Sequence, residues 1–218
     1  MHVVNKVAAW VAWSAVAVGT AHAAPFQNGS FEVGTSDPGA GFVTLAAGNT
    51  SITGWTVTGN GVDYIGGLWQ AAEGSRSVDM SAGNAGGIQQ SFDTVAGHTY
   101  RVRFDLAGNP QGAPTAKTLQ VQATGGTPVS YTFDTTGHST GSMGWATQTY
   151  TFTATGLATT LSFVSQDVTA FGPALDNVVV SDVTPTPVPT LSQWGLVGLA
   201  GLLGLFALRV RRTTVRRG

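Results

Sequence analysis

The sequence predicts an all-β protein, an antiparallel jelly-roll β-sandwich, set between an N-terminal signal peptide and one C-terminal transmembrane helix. Three observations predict it. Apolar and polar residues alternate at period two through most of 24–182, as strands with one wet face require. The alternating runs are short and bounded by Gly, Pro, Asn or Asp, at spacings typical of sandwiches. Between the two ends no stretch repeats its apolar residues every 3.6 positions, so helices do not compete for the core. Two sheets packed face to face are the ordinary way to bury so many half-apolar strands.

The chain opens with Lys6, an apolar run over 7–18 and the small-residue exit Ala21-His22-Ala23. The run is too short to span a bilayer comfortably, and the whole reads as a signal peptide over 1–23. Signal peptidase is expected to cut between Ala23 and Ala24, since a cut one residue later would place Pro25 at the scissile bond.

The sandwich is expected over 24–182. Its first strand is read at 31–33. Segments 52–58 and 62–65 flank Gly59-Asn60-Gly61, where Asn-Gly supplies the positive φ angles of a hairpin, so these two strands are expected to pair. Segments 76–80 and 87–92 follow. In 99–106, Tyr100, Val102, Phe104 and Leu106 face one way, with Arg101, Arg103 and Asp105 opposite. The same alternation marks Leu119/Val121/Ala123, Tyr131/Phe133, Tyr150/Phe152/Ala154 and Leu161/Phe163, and 175–180 closes a set of ten or eleven strands.

Beyond the sandwich, Pro185, Pro187 and Pro189 hold 183–190 extended as a linker. Residues 191–208 carry no charge. As a helix they reach about 27 Å, enough for a thin hydrocarbon core. Gly195, Gly198, Gly201 and Gly204 recur every third residue and would let another helix approach. Arg209, Arg211, Arg212, Arg216 and Arg217 follow, a basic tail over 209–218 that places this end in the cytoplasm and the sandwich outside.

Two resemblances rest on these residues. Val188, Pro189, Thr190, Leu191, Ser192, Gln193, Trp194 and Gly195, followed by the apolar run and the arginines, resemble the IPTL-CTERM sorting signal of Gram-negative bacteria, with Val188 for the usual Ile and Gln193 for the usual Glu. The resemblance implies an exosortase-type membrane enzyme as partner, a transient membrane helix, and a final place at the cell surface or in the extracellular matrix. Asn28-Gly-Ser-Phe-Glu32, Trp55, Val62-Asp-Tyr64, Trp69, Glu73-Gly-Ser-Arg-Ser-Val-Asp-Met80, Gly87-Ile-Gln-Gln-Ser-Phe92, Leu106-Ala-Gly-Asn-Pro110 and Gly172-Pro-Ala-Leu-Asp-Asn-Val178 resemble the choice-of-anchor C family. That family is similar to plant cell-wall proteins with galactose-binding-like domains, which implies a jelly roll and contact with polysaccharide.

Charge narrows the function. Between the two ends stand four basic residues, Arg76, Arg101, Arg103 and Lys117, against all eleven acidic ones, a balance of −7. Such a domain is no partner for nucleic acid, whose binding rests on phosphate neutralisation. Cysteine is absent, so an exported chain relies here on packing or metal and not on disulfides. Glu32 on the first strand and Asp176 on the last are the candidates for one structural calcium ion, as in many carbohydrate-binding modules of this fold. The alternative is that both acids make turn or strand-end hydrogen bonds.

A flat ring stacks on a sugar while amides and carboxylates bond its hydroxyls. The carbohydrate candidates near glycine-rich turns are therefore Asp63, Tyr64, Trp69, Gln70, Asn109, Trp145 and Phe171, and each aromatic has core packing as its alternative. Gly137-His-Ser-Thr-Gly141 fits Gly-x-Ser-x-Gly, but no histidine follows His138 and the next segment reads as strand, so the match is read as accidental. No metalloenzyme motif and no organic cofactor site is apparent. The sequence reads as a non-catalytic surface protein whose sandwich binds carbohydrate. A structural protein that self-associates without a glycan is the alternative, and a glycoside hydrolase the least favoured.

Overall fold

A computed structural model describes residues 24–185 and, in the C-terminal segment, residues 195, 197, 198 and 200–203. The expected signal peptide with Ala23, the sorting-motif residues 188–194 and the basic tail lie outside the described residues. So does most of the expected membrane span, of which the described positions are helical. No helix among the described residues is long and apolar enough to cross a membrane. The chain divides into two compact units, 1–183 and 184–218.

The first unit is an all-antiparallel sandwich. Its strands are β1 (Phe42–Leu45), β2 (Thr56–Gly59), β3 (Val62–Ile65), β4 (Ser77–Asp79), β5 (Gly86–Asp93), β6 (Thr99–Gly108), β7 (Ala116–Ala123), β8 (Val129–Asp134), β9 (Ala146–Thr153), β10 (Ala158–Ser165) and β11 (Pro173–Asp182). One sheet runs β1-β3-β4-β11-β6-β9 and the other β2-β5-β10-β7-β8. The alternating residues of each strand turn one side inward, and the inner faces meet in a core that includes Trp55, Ile88, Phe104, Leu119, Leu161, Phe163 and Leu175, each at most 1% exposed. Aromatic rings join the layers: Trp55 meets Phe31 at 5.4 Å and Phe163 at 6.1 Å, and Phe104 meets Phe163 edge-on at 5.4 Å.

Two sequence expectations are corrected. Segment 31–33 is not a strand. Phe31 takes a φ of 61° and is fully buried, because Asn28 closes a turn by bonding the Val33 amide and carbonyl and the Thr53 carbonyl. The short edge strand β1 comes later instead. The expected hairpin across Gly59-Asn60-Gly61 does not pair either. β2 bonds β5 in one sheet while β3 bonds β1 and β4 in the other. Val57 and Val62 enter the core from opposite layers, so the Asn-Gly turn carries the chain from one sheet to the other. Gly61 has a φ of 100°, open to glycine. Its carbonyl oxygen passes so close to Gly86 that a Cβ there would lie 1.6 Å from it.

Candidate functional site: an uncharged amide and hydroxyl face

The residues that the sequence proposes for ligand contact are dispersed by the fold. Tyr64 points into the core at 1% exposure and donates its hydroxyl to the Phe31 carbonyl at 2.5 Å. Trp69, 5% exposed, lies over β4 with its Nε1 donating to Ser77 Oγ at 2.8 Å. Asn109 is buried and donates to Asp79 Oδ2 at 2.8 Å. Packing and internal hydrogen bonds engage these three side chains. Phe171 packs its ring against Gly112 and offers its carbonyl to the buried Lys117 Nζ at 2.5 Å. Asp63 accepts a 2.6 Å bond from Thr44, and burial raises its pKa while that bond opposes the rise.

Gln70 and Trp145 are the pair the fold does bring together. Trp145 Nε1 donates to the Gln70 carbonyl at 2.8 Å, and the Gln70 amide donates to the Thr140 carbonyl at 3.0 Å. Gln70 is exposed and Trp145 partly so, which leaves one ring edge and one amide at the surface. The segment 137–141 forms a tight bridge in which the Ser139 and Ser142 amides each donate to the other's carbonyl, and it leads into β9 with no helix between. That is not the strand-to-helix elbow a Gly-x-Ser-x-Gly nucleophile needs.

Glu32 and Asp176 do cooperate, on one loop. Glu32 Oε1 accepts the Ser75 and Arg76 amides, both at 2.7 Å, and its Oε2 accepts the Ser75 hydroxyl. Asp176 Oδ2 accepts the Ala72 and Glu73 amides, and its Oδ1 the Asn177 amide. Together they pin the loop 72–76 over β11. A calcium ion takes six to eight oxygen ligands, whereas these oxygens face N–H and O–H donors, whose positive ends oppose a cation. Among the described residues no group of three or more acids or histidines gathers for a metal. The pair as it stands does not fit the ion.

Deeper in the molecule, Asp79 accepts the Ser81 and Gly172 amides and the Asn109 amide group. Burial pushes its pKa up to about 7, against those hydrogen bonds. Burial also raises Asp176 to about 7, with three backbone amides opposing. Lys117, fully buried, donates to the Gly112 and Phe171 carbonyls, and its pKa is lowered by burial against the pull of Asp167 and Asp79. This network ties loop ends together inside the protein.

An open depression lies elsewhere, on the outer face of the five-stranded sheet. Strand pairing places Thr56 opposite Gln89, Gln89 opposite Ser162 and Ser162 opposite Gln122. One uncharged row thus crosses β2, β5, β10 and β7. Adjacent strands lie about 4.8 Å apart, so the row is about 14 Å long. Gln89, Gln122, Ala123, Thr124, Thr160 and Ser162 line a depression of about 240 Å³ there. Ser162 donates to the Gln122 carbonyl, and Gln122 Nε2 makes a long 3.4 Å contact with the Gly126 carbonyl. The Gln89 side chain makes no hydrogen bond to the described residues. Gln89 therefore keeps a donor and an acceptor that folding has not consumed, while the hydroxyls of Thr124, Thr160 and Ser162 already bond within the sheet. Sequence reasoning missed it. Its one legible signal was the run of Thr, Ser and Gln at the outward positions of β5, β7 and β10.

The scaffold is a two-sheet antiparallel sandwich with a row of amides and hydroxyls on one outer face. The protein belongs to a family described as a protein of unknown function, DUF642, whose model matches residues 24–181. An IPTL-CTERM motif matches 186–217. Halomucin of Haloquadratum walsbyi is 33% identical over 175 residues, covering 76% of this chain, and the chain spans only 2% of halomucin's length. Solved structures similar to the sandwich include TmCBM61 in complex with beta-1,4-galactotriose, at 18% identity, 72% and 97% coverage of this chain and that one, and a TM-score of 0.46. A family 35 carbohydrate-binding module from Clostridium thermocellum matches at 14% identity, 65% and 98% coverage and a TM-score of 0.44.

Proposed function

We propose that this is a non-catalytic surface or extracellular-matrix protein of the choice-of-anchor C type, whose sandwich binds neutral polysaccharide on the outer face of the five-stranded sheet. The observation that carries the reading is the in-register row Thr56-Gln89-Ser162-Gln122 beside a depression without a charged residue. Sugar hydroxyls need donors and acceptors together. A glutamine amide has both, and a neutral lining imposes no charge on the ligand. The IPTL-CTERM motif supports delivery by an exosortase-type enzyme in a Gram-negative cell, with an export leader removed by signal peptidase and a membrane helix over 191–208 that persists only until sorting.

Affinity electrophoresis of residues 24–183 through gels containing neutral polysaccharides tests the site. Wild type is expected to be retarded by at least one of them. Gln89→Ala combined with Gln122→Ala removes hydrogen bonds worth about 1 kcal/mol each and lowers affinity about tenfold or more. Retardation equal to wild type in that variant would refute the site.

A further inference from the structure

The opposite face of the sandwich carries a different chemistry. Of the four basic side chains in 24–185, Arg76 is paired with Asp37 at 3.0 Å and Lys117 is fully buried. Arg101 and Arg103 remain. Both are exposed, both project from the outer side of β6, and neither has a hydrogen bond or ion pair with the described residues. In a domain of charge −7 its two free cations therefore stand together on one strand, about 7 Å apart. Strand pairing flanks each of them with neutral groups: Ser181 and Thr151 lie on either side of Arg101, and Val179 and Thr149 on either side of Arg103. All four neighbours are exposed.

The acids nearest along these strands are already engaged. Asp105 accepts bonds from Thr147 and Asn177, at 2.6 and 2.8 Å, and Asp182 pairs with His98 at 2.6 Å. Their charges leave the patch polar and only locally positive. That is too little for nucleic acid, where duplex DNA sets a charge about every 1.7 Å.

We infer that Arg101 and Arg103 form a second binding site, one that takes carboxylate groups of an acidic polysaccharide. Each guanidinium presents a planar fork that matches a carboxylate. Thr149, Thr151 and Ser181 are placed to bond ring hydroxyls, and Val179, 40% exposed, offers an apolar surface to a sugar face. The site is independent of the amide face on the other sheet.

Binding of the full chain in detergent micelles to polygalacturonate and to dextran, with EDTA present, tests the inference. Wild type is expected to hold polygalacturonate more tightly than dextran, and less tightly as salt is raised. Arg101→Gln with Arg103→Gln is expected to weaken polygalacturonate binding about tenfold or more, at an unchanged melting temperature. Replacing both with lysine, which keeps charge but not the fork, is expected to give intermediate affinity. Gln89→Ala with Gln122→Ala should leave polygalacturonate binding intact, which separates this site from the proposed neutral one. The inference is overturned if wild type does not bind polygalacturonate, if the Gln89→Ala, Gln122→Ala variant holds dextran as tightly as polygalacturonate, or if the Arg101→Gln, Arg103→Gln variant binds polygalacturonate as wild type does.

Discussion

Trp55 ties the entry segment to the core. Its Nε1 donates to the Asn28 carbonyl at 2.9 Å, and its ring meets those of Phe26, Phe31 and Phe163. At 1% exposure, Trp55→Ala should cost about 3–5 kcal/mol, measurable by urea unfolding. Two buried carboxyls set the pH response. Asp79 and Asp176 rise from an ordinary 3.8 to about 7, chiefly through burial. Between those limits the folded chain holds more protons than the unfolded one, so stability falls as pH rises from about 4 to about 7. The exposed Asp134 is shifted the other way, by its bonds from Thr136, and acts only below that window. Calorimetry should therefore find a higher melting temperature near pH 5 than near pH 8, and Asp176→Asn should flatten the difference.

At the scale of elements, the loop 72–76 depends on two acids from distant parts of the chain. Glu32→Ala removes the acceptors of the Ser75 and Arg76 amides, and hydrogen exchange at those amides should quicken about tenfold while the sheets stay protected. Because the carboxylates serve N–H donors here, EDTA should leave the melting temperature unmoved. The passage between sheets is tighter still. A Cβ on Gly86 would meet the Gly61 carbonyl at 1.6 Å and the Met80 carbonyl at 3.0 Å. Gly86→Ala should therefore destabilise the domain by several kcal/mol or prevent folding, judged by near-ultraviolet circular dichroism. Strand existence was legible in the sequence because period-two alternation is a local signal, and the long strands β6, β7 and β10 show it clearly. Strand pairing was not. The Asn60-Gly61 turn carries a strong hairpin signature, yet Gly86 of β5 approaches closely enough to take β2 into the other sheet. Likewise Glu32 and Asp176 were legible as partners, but their ligand, a run of backbone amides, has no sequence signature.

For the molecule as a whole, the two outer faces differ in kind. One carries a row of uncharged amides and hydroxyls across β2, β5, β10 and β7, and the other places two free guanidiniums in an acidic domain. Neither was legible beforehand. Each is assembled from strands far apart in sequence: β5, β10 and β7 on one side, and β6, β9 and β11 on the other. Two of the aromatic candidates, Tyr64 and Trp69, are buried for a related reason. In a sandwich this thin, large rings such as Tyr64 and Trp69 are drawn into or over the core, where burying them contributes about 1.5–3 kcal/mol or more each. The most direct test of this account is amide chemical-shift mapping of the sandwich during titration with a neutral polysaccharide that it retains. Shifts are expected to centre on Gln89, Ser162 and Gln122 and their strand neighbours. Shifts confined to Gln70 and Trp145, or absent from β5, β7 and β10, would contradict it.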